Sequence, residues 1–178
     1  GFHKIENAIA ASVAASLCDV GVSTIKKALE SFTGVKRRFE YIIKTGNLVF
    51  IDDYAHHPEE LRALITGAKS LFSGKKCTVI FQPHLFTRTR DFADGFAEVL
   101  NLADEVFLLP IYPAREMPVE GVTSEMLIGK MSEGKAAVVS KEEVLTILDK
   151  MKRNENIPAL LITAGAGDID TLVPQIKK

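Results

Sequence analysis

The sequence predicts an α/β protein of three layers, with a mostly parallel six-stranded sheet covered by helices on both faces and two helices in front of it. Three observations carry this prediction. Strand-length apolar runs, such as Val79-Ile80-Phe81 and residues 159–162, alternate with amphipathic segments of helical length. That alternation implies parallel strands joined by helical crossovers. Turn and cap residues punctuate the runs, and the unusual polar residues gather directly after strands, where open α/β sheets bind ligands.

Taken in order, Ile5, Ala8, Ile9, Val13 and Leu17 have the spacing of a buried helical stripe. A second helix is expected to use Ser23 as its N-cap, turn Ile25, Leu29 and Phe32 inward, and stop near Gly34. From Arg38 the pattern changes. Strands are expected over residues 38–45, 48–53, 77–82, 105–110, 136–140 and 160–164, with Thr45, Gly46 and Asn47 turning the first two into a hairpin. Pro58, followed by Glu59 and Glu60, opens a helix with the stripe Leu61, Leu64, Ile65, Ala68 and Phe72, ended by Gly74. Another helix is expected over 91–102. Ser140 and Glu143 form a capping box for a helix carrying Val144, Ile147, Leu148 and Met151.

Composition narrows the function. With 178 residues, 47% hydrophobic and 25% charged, the chain has the balance of a packed globular protein of one domain and part of another. Its 22 basic and 23 acidic residues give a net charge of −1, so neither nucleic acid nor a membrane is expected as a partner. The apolar runs are far shorter than a membrane span. Cys18 and Cys77 have no metal-ligand spacing and lie in apolar segments, which reads as buried free thiols in a reducing compartment. There is no signal peptide, and the abrupt start at Gly1, Phe2 and His3 reads as a piece of something larger. No GxxxxGK[ST] phosphate loop, complete GxGxxG or nucleophile elbow is present.

Five clusters are candidates for chemistry. Asp52, Asp53, Tyr54, His56 and His57 stand where a strand gives way to a helix; they suit polar-ligand recognition, or capping of the helix amides. The run FQPHLFTRTR places His84, Arg88 and Arg90 after the third strand, the arginines at an expected helix start. Cations at the positive end of a helix dipole argue for a bound anion, and the alternative is an ion pair with Asp91, Asp94 or another acid. The proline-fixed loop IYPAREMP is either a connection or a wall of a site. The glycine-rich turn TAGAGD suits phosphate approach or tight strand–helix packing equally. Lys36, Arg37 and Arg38 form a basic joint suited to polyphosphate or to solvent.

In order along the chain, GFHKIENAIAA, GVKRRFE, DDYAHHPEE, FQPHLFTRTRDF, IYPAREMP and TAGAGD resemble the landmarks of the Mur ligase family, in its UDP-N-acetylmuramate–L-alanine branch. DDYAHHP and FQPHLFTRT carry most of the discrimination. The resemblance implies that residues 1–38 are the last helices of a central ATPase domain and 39–178 the C-terminal, Rossmann-like lobe. It implies a cytoplasmic bacterial enzyme of peptidoglycan precursor synthesis and cell-wall biogenesis. That enzyme uses ATP and magnesium to activate the muramyl carboxylate as an acyl phosphate, which the amine of L-alanine attacks. The missing N-terminal and central domains are then the lobe's partners, and the chain alone is expected to hold no nucleotide tightly and to be inactive.

By the same resemblance Asn7 corresponds to an adenine contact, Arg38 to an arginine at the ATP phosphates, and Asp53 to the aspartate holding the ribose. Tyr54, His56, His84 and Arg88 correspond to the surroundings of the amino acid and the muramyl end. No residue here corresponds to a catalytic group or a metal ligand. One departure is visible: Lys4 stands where the family has asparagine. Two other readings fit the same sequence: the ligase that recycles murein tripeptide, and a non-catalytic α/β module for a small anionic ligand.

Overall fold

The computed structural model describes the main chain of residues 2–153 and 159–178, and side chains from residue 5 onward within them. The Lys4 side chain therefore lies outside the described residues. The chain divides between Val35 and Lys36 into two compact units, so Arg37 and Arg38 both belong to the second.

The first unit is a pair of helices, α1 (Phe2–Leu17) and α2 (Val22–Ser31). α1 ends in a Schellman motif: Asp19 is left-handed at φ 59°, and the amides of Val20 and Asp19 reach the carbonyls of Ala15 and Ser16. This motif places Gly21, rather than Ser23, at the N-cap of α2. The stripe periodicity is helical as expected, but it is not buried: Ile5, Ile9, Val13, Leu17, Leu29 and Phe32 are all exposed. Cys18, just past the end of α1, is exposed as well, against the expectation of a buried thiol.

The second unit is a three-layer α/β lobe. Its strands are β1 (Glu40–Lys44), β2 (Val49–Asp53), β3 (Cys77–Phe81), β4 (Glu105–Leu108), β5 (Ala136–Val138) and β6 (Leu160–Ala164). They lie in the order β1-β2-β6-β3-β4-β5, parallel except for the edge hairpin β1–β2. The helices are α3 (Pro58–Leu71), α4 (Phe86–Asp91), α5 (Ala93–Leu100), α6 (Ser124–Ile128), α7 (Lys141–Arg153) and α8 (Val173–Ile176), with a 3₁₀ turn at Asp168–Leu172.

Strand alternation sorts the core into two layers. Val49, Ile51, Val79, Phe81, Val106, Leu108, Leu160 and Ile162 pack with Leu61, Leu64 and Ile65 of α3, Phe96 of α5 and Leu127 of α6. Phe50, Ile80, Phe107 and Leu161 point the other way, to Val144 of α7, Ile169 and Leu172. Helices of the outward crossovers cover one face and α7, on the return to β6, covers the other. Right-handed crossovers running in opposite directions produce this arrangement.

The expected capping box is present: the Ser140 amide donates to Glu143 Oε2 at 2.7 Å, and the Glu143 amide donates to Ser140 Oγ at 3.1 Å. The helix expected over 91–102 is present as α5, from Ala93 to Leu100, and a separate short helix, α4, not expected as such, precedes it and breaks from it at Phe92. Arg88 and Arg90 consequently stand in the last turn of α4, where cations suit the helix dipole. The dipole argument for an anion at these arginines is lost; their case rests on their partners.

Candidate functional site

The loops that follow β2, β6, β3 and β4 meet at the carboxyl end of the sheet. At the end of β2, Asp53 is fully engaged with the main chain. Its Oδ2 accepts the Phe39 amide at 2.6 Å and its Oδ1 the Ala55 amide at 2.7 Å. Burial raises its pKa above the ordinary carboxylate value, while those two amides pull it down. Asp52 is buried more completely, accepts from Thr163 Oγ1 at 2.6 Å, and is likewise raised by burial.

The two histidines that follow divide their duties. His57 is the N-cap of α3 and forms a capping box with Glu60, so the capping alternative holds for this residue. His56 is turned the other way: its Nδ1 lies 2.9 Å from the Tyr54 carbonyl, its ring meets the Tyr54 ring edge-on at 5.3 Å, and the His84 ring is 6.1 Å away.

The loop after β3 is zipped to the loop after β4. His84 and Tyr112 form a parallel bridge, the Leu85 amide donates to the Tyr112 carbonyl, and the Tyr112 amide donates to that of Pro83. Their rings stack at 5.7 Å. Leu85 is left-handed at φ 72°, and α4 has no cap of its own. Glu116 supplies one from the neighbouring loop, accepting from the Thr87 amide at 3.0 Å and from its hydroxyl. These bonds hold the Glu116 carboxyl below its ordinary pKa. The IYPAREMP segment therefore packs against the loop that carries His84 and lines the candidate cleft beside it.

α4 presents Arg88 to this cleft, its Nη1 3.4 Å from Nδ1 of His84. Burial, then the charge of Arg88 and then His56, keep His84 below the usual imidazole pKa. The ring is therefore neutral at pH 7, with Nδ1 accepting from the guanidinium and Nε2 carrying the proton. The carboxylates that stood as alternative partners are otherwise engaged: Asp91 with Arg90 at 2.8 Å and Asp94 with Lys130 at 2.7 Å. Among the described residues, half-buried Arg88 has no carboxylate within ion-pair distance. A guanidinium fork in that position has the chemistry to receive an anion.

The glycine-rich turn after β6 packs against this wall. An added Cβ at Gly165, φ 146°, would stand 2.8 Å from the Gln82 carbonyl, and one at Gly167 would stand 2.7 Å from Tyr112. Close packing accounts for both glycines. Gln82 fastens the turn, donating to Asp168 at 2.8 Å and accepting the Ile169 amide at 3.0 Å.

The structure thus brings Tyr54, His56, His84 and Arg88 onto one rim, with Asp53 at its edge, and leaves Arg38 exposed. Asn7 lies exposed on α1, in the other unit. Sequence reasoning gave no individual role to Tyr112, Glu116 or Gln82, whose partners are far away in sequence, and only the proline-fixed loop hinted at the first two; Arg37 reads in the sequence only as one cation of a basic joint, not as a residue turned into the lobe. Among the described residues no three His, Cys, Asp or Glu side chains gather as a metal site.

Fold and rim together define a Rossmann-like lobe that presents a cation-bearing cleft at the carboxyl ends of its strands. The chain belongs to the Mur ligase family: residues 37–169 match the model for the Mur ligase, glutamate ligase domain. The UDP-N-acetylmuramate–L-alanine ligase of Cytophaga hutchinsonii is 51% identical over 177 residues, 99% of this chain and 37% of that one. The crystal structure of the UDP-N-acetylmuramate–alanine ligase of Thermotoga maritima superposes with a TM-score of 0.77 at 31% identity, over 99% of this chain and 37% of that one. A murein peptide ligase from Psychrobacter arcticus shares the fold at TM-score 0.66 and 23% identity, over 99% of this chain and 36% of that one. The chain spans little more than a third of the length of the curated relatives it matches.

Proposed function

We propose that this chain is the amino-acid-side lobe, with the last helices of the ATPase domain, of an ATP-dependent ligase that joins L-alanine to UDP-N-acetylmuramate. In this reading residues 1–38 complete the ATPase domain, and the whole enzyme works in peptidoglycan precursor synthesis in the bacterial cytoplasm. The observation that carries the reading is Arg88: half-buried, backed by a neutral imidazole, and without a carboxylate partner among the described residues.

Arg88 takes the carboxylate of L-alanine in a two-point grip worth about 1.5–3 kcal/mol. His84 holds the guanidinium in register. Tyr54 and His56 line the muramyl side. Binding the carboxylate leaves the amine free to face the activated carbonyl, and fixing that approach is a large part of what such a reaction requires. Asn7 would meet the adenine, Arg38 the phosphates and Asp53 the ribose. The exposed Arg38 pairs with no carboxylate among the described residues, which suits a phosphate. Magnesium would neutralise phosphate charge in the complete enzyme, but no described residue is assigned to it. No residue of the lobe performs a covalent or proton-transfer step, so the chain alone is inactive.

In the full-length protein, Arg88→Ala raises the KM for L-alanine by about ten- to a hundred-fold, with the KM for ATP little changed. An unchanged KM for L-alanine removes Arg88 from the pocket.

A further inference from the structure

In sequence Lys36, Arg37 and Arg38 are one basic patch, but the structure separates the last two. Arg37 and Phe39 both adopt left-handed backbone, φ 55° and 50°. Residues other than glycine hold such angles only where their surroundings fix them. The result is that the Arg37 side chain, 20% exposed, turns into the lobe while Arg38 stays exposed.

Arg37 ties together elements that do not touch it in sequence. Its Nη2 donates to the Gly165 carbonyl at 2.5 Å, past the end of β6. Its Nε lies 3.4 Å from the buried Oδ2 of Asp52 on β2, and its Nη1 3.7 Å from Asp170 in the 3₁₀ turn. The guanidinium carbon sits 5.0 Å from the centre of the Tyr54 ring. The main chain adds to the hold: the Arg37 carbonyl accepts the Tyr54 amide at 2.7 Å, and the Arg37 amide donates to Glu40 at 2.8 Å. Tyr54 is thus gripped at its backbone and on its ring by the same residue. A lysine ammonium has neither the planar fork nor the ring-stacking face that this geometry uses.

We infer that Arg37 is a positioning residue that fixes Tyr54 at the rim of the amino-acid pocket, leaving Arg38 to face a ligand. The second half of this inference rests on the proposed function; the grip on Tyr54 does not.

Amide exchange of this chain, resolved by residue, tests the grip. With Arg37→Ala the Tyr54 amide exchanges at least about tenfold faster, the loss expected when bonds to a charged group are removed, while Val79 and Ile162 in the central strands keep their rates. Arg38→Ala leaves Tyr54 unchanged. Arg37→Lys, which keeps the charge, gives a smaller acceleration and serves if the alanine variant does not fold. An unaltered Tyr54 amide overturns the inference, and so does equal acceleration of Val79 and Ile162, which would mean general destabilisation. In the full-length protein Arg37→Ala then raises the KM for L-alanine. A loosened Tyr54 with an unchanged KM would overturn the placing of Tyr54 in the pocket, and leave the grip intact.

Discussion

Replacing Gln82 by Met tests whether the lobe's rim is held by one buried amide. Gln82 is buried at the end of β3, and methionine matches its length and flexibility without a comparable donor or acceptor. The change strands the amide of fully buried Ile169, which now donates to Gln82 Oε1 at 3.0 Å. An unpaired buried donor costs about 1–3 kcal/mol. The second bond, to Asp168, contributes little, because that side chain is 50% exposed and water replaces the amide. A net loss of about 1–3 kcal/mol follows. All three tyrosines lie in the lobe, so their fluorescence follows its unfolding in urea. At a slope of about 1–3 kcal/mol/M, the midpoint falls by about 1 M with the slope unchanged. A midpoint within about 0.2 M of the parent would refute the claim that Gln82 joins β3 to the turn after β6.

Two further outcomes follow from the same packing. Gly167→Ala would place a Cβ 2.7 Å from Tyr112, pushing that ring off His84; a loss of about 1–3 kcal/mol is expected, with a shift of the His84 ring-proton resonances, and unmoved resonances contradict it. His84, held below 6.5 by burial and then by Arg88, takes its proton in the unfolded chain at a higher pH than in the folded one. Stability therefore declines as pH falls through 6.5 and levels off below the folded value. Asp52 and Asp53, raised above 3.8 by burial, act with the opposite sign, losing stability as pH rises from 3.8. His84→Gln should flatten the slope just below pH 6.5 in urea midpoints taken across pH; an unaltered slope would count against it.

What the sequence made legible was whatever depends on neighbours a few residues away. The alternating strands, the β1–β2 hairpin, the α3 stripe and the Ser140–Glu143 box are all local signals, and all are present. The start of α4 was hidden because its cap is Glu116, 29 residues beyond Thr87, and because Leu85 enters it through a left-handed angle no side chain announces. The break at Phe92 had no glycine or proline to mark it. Helical periodicity located the stripe of α1, yet periodicity carries no information about what covers a stripe, and Cys18 and Leu29 proved exposed. At the candidate site, local reading put Tyr54 and His56 just after β2 and His84 and Arg88 just after β3, which is where they stand in the fold. Which of Arg37 and Arg38 faces inward was beyond local reading, because two left-handed residues on either side of Arg38 decide it.

The central claim is that this lobe serves the joining of L-alanine to a muramyl carboxylate. The direct measurement is ADP release by the full-length protein with ATP, magnesium and UDP-N-acetylmuramate, comparing L-alanine, murein tripeptide and no acceptor. The account predicts turnover with L-alanine and only background with the other two. Turnover with the tripeptide in its place, or none with either acceptor, would contradict it.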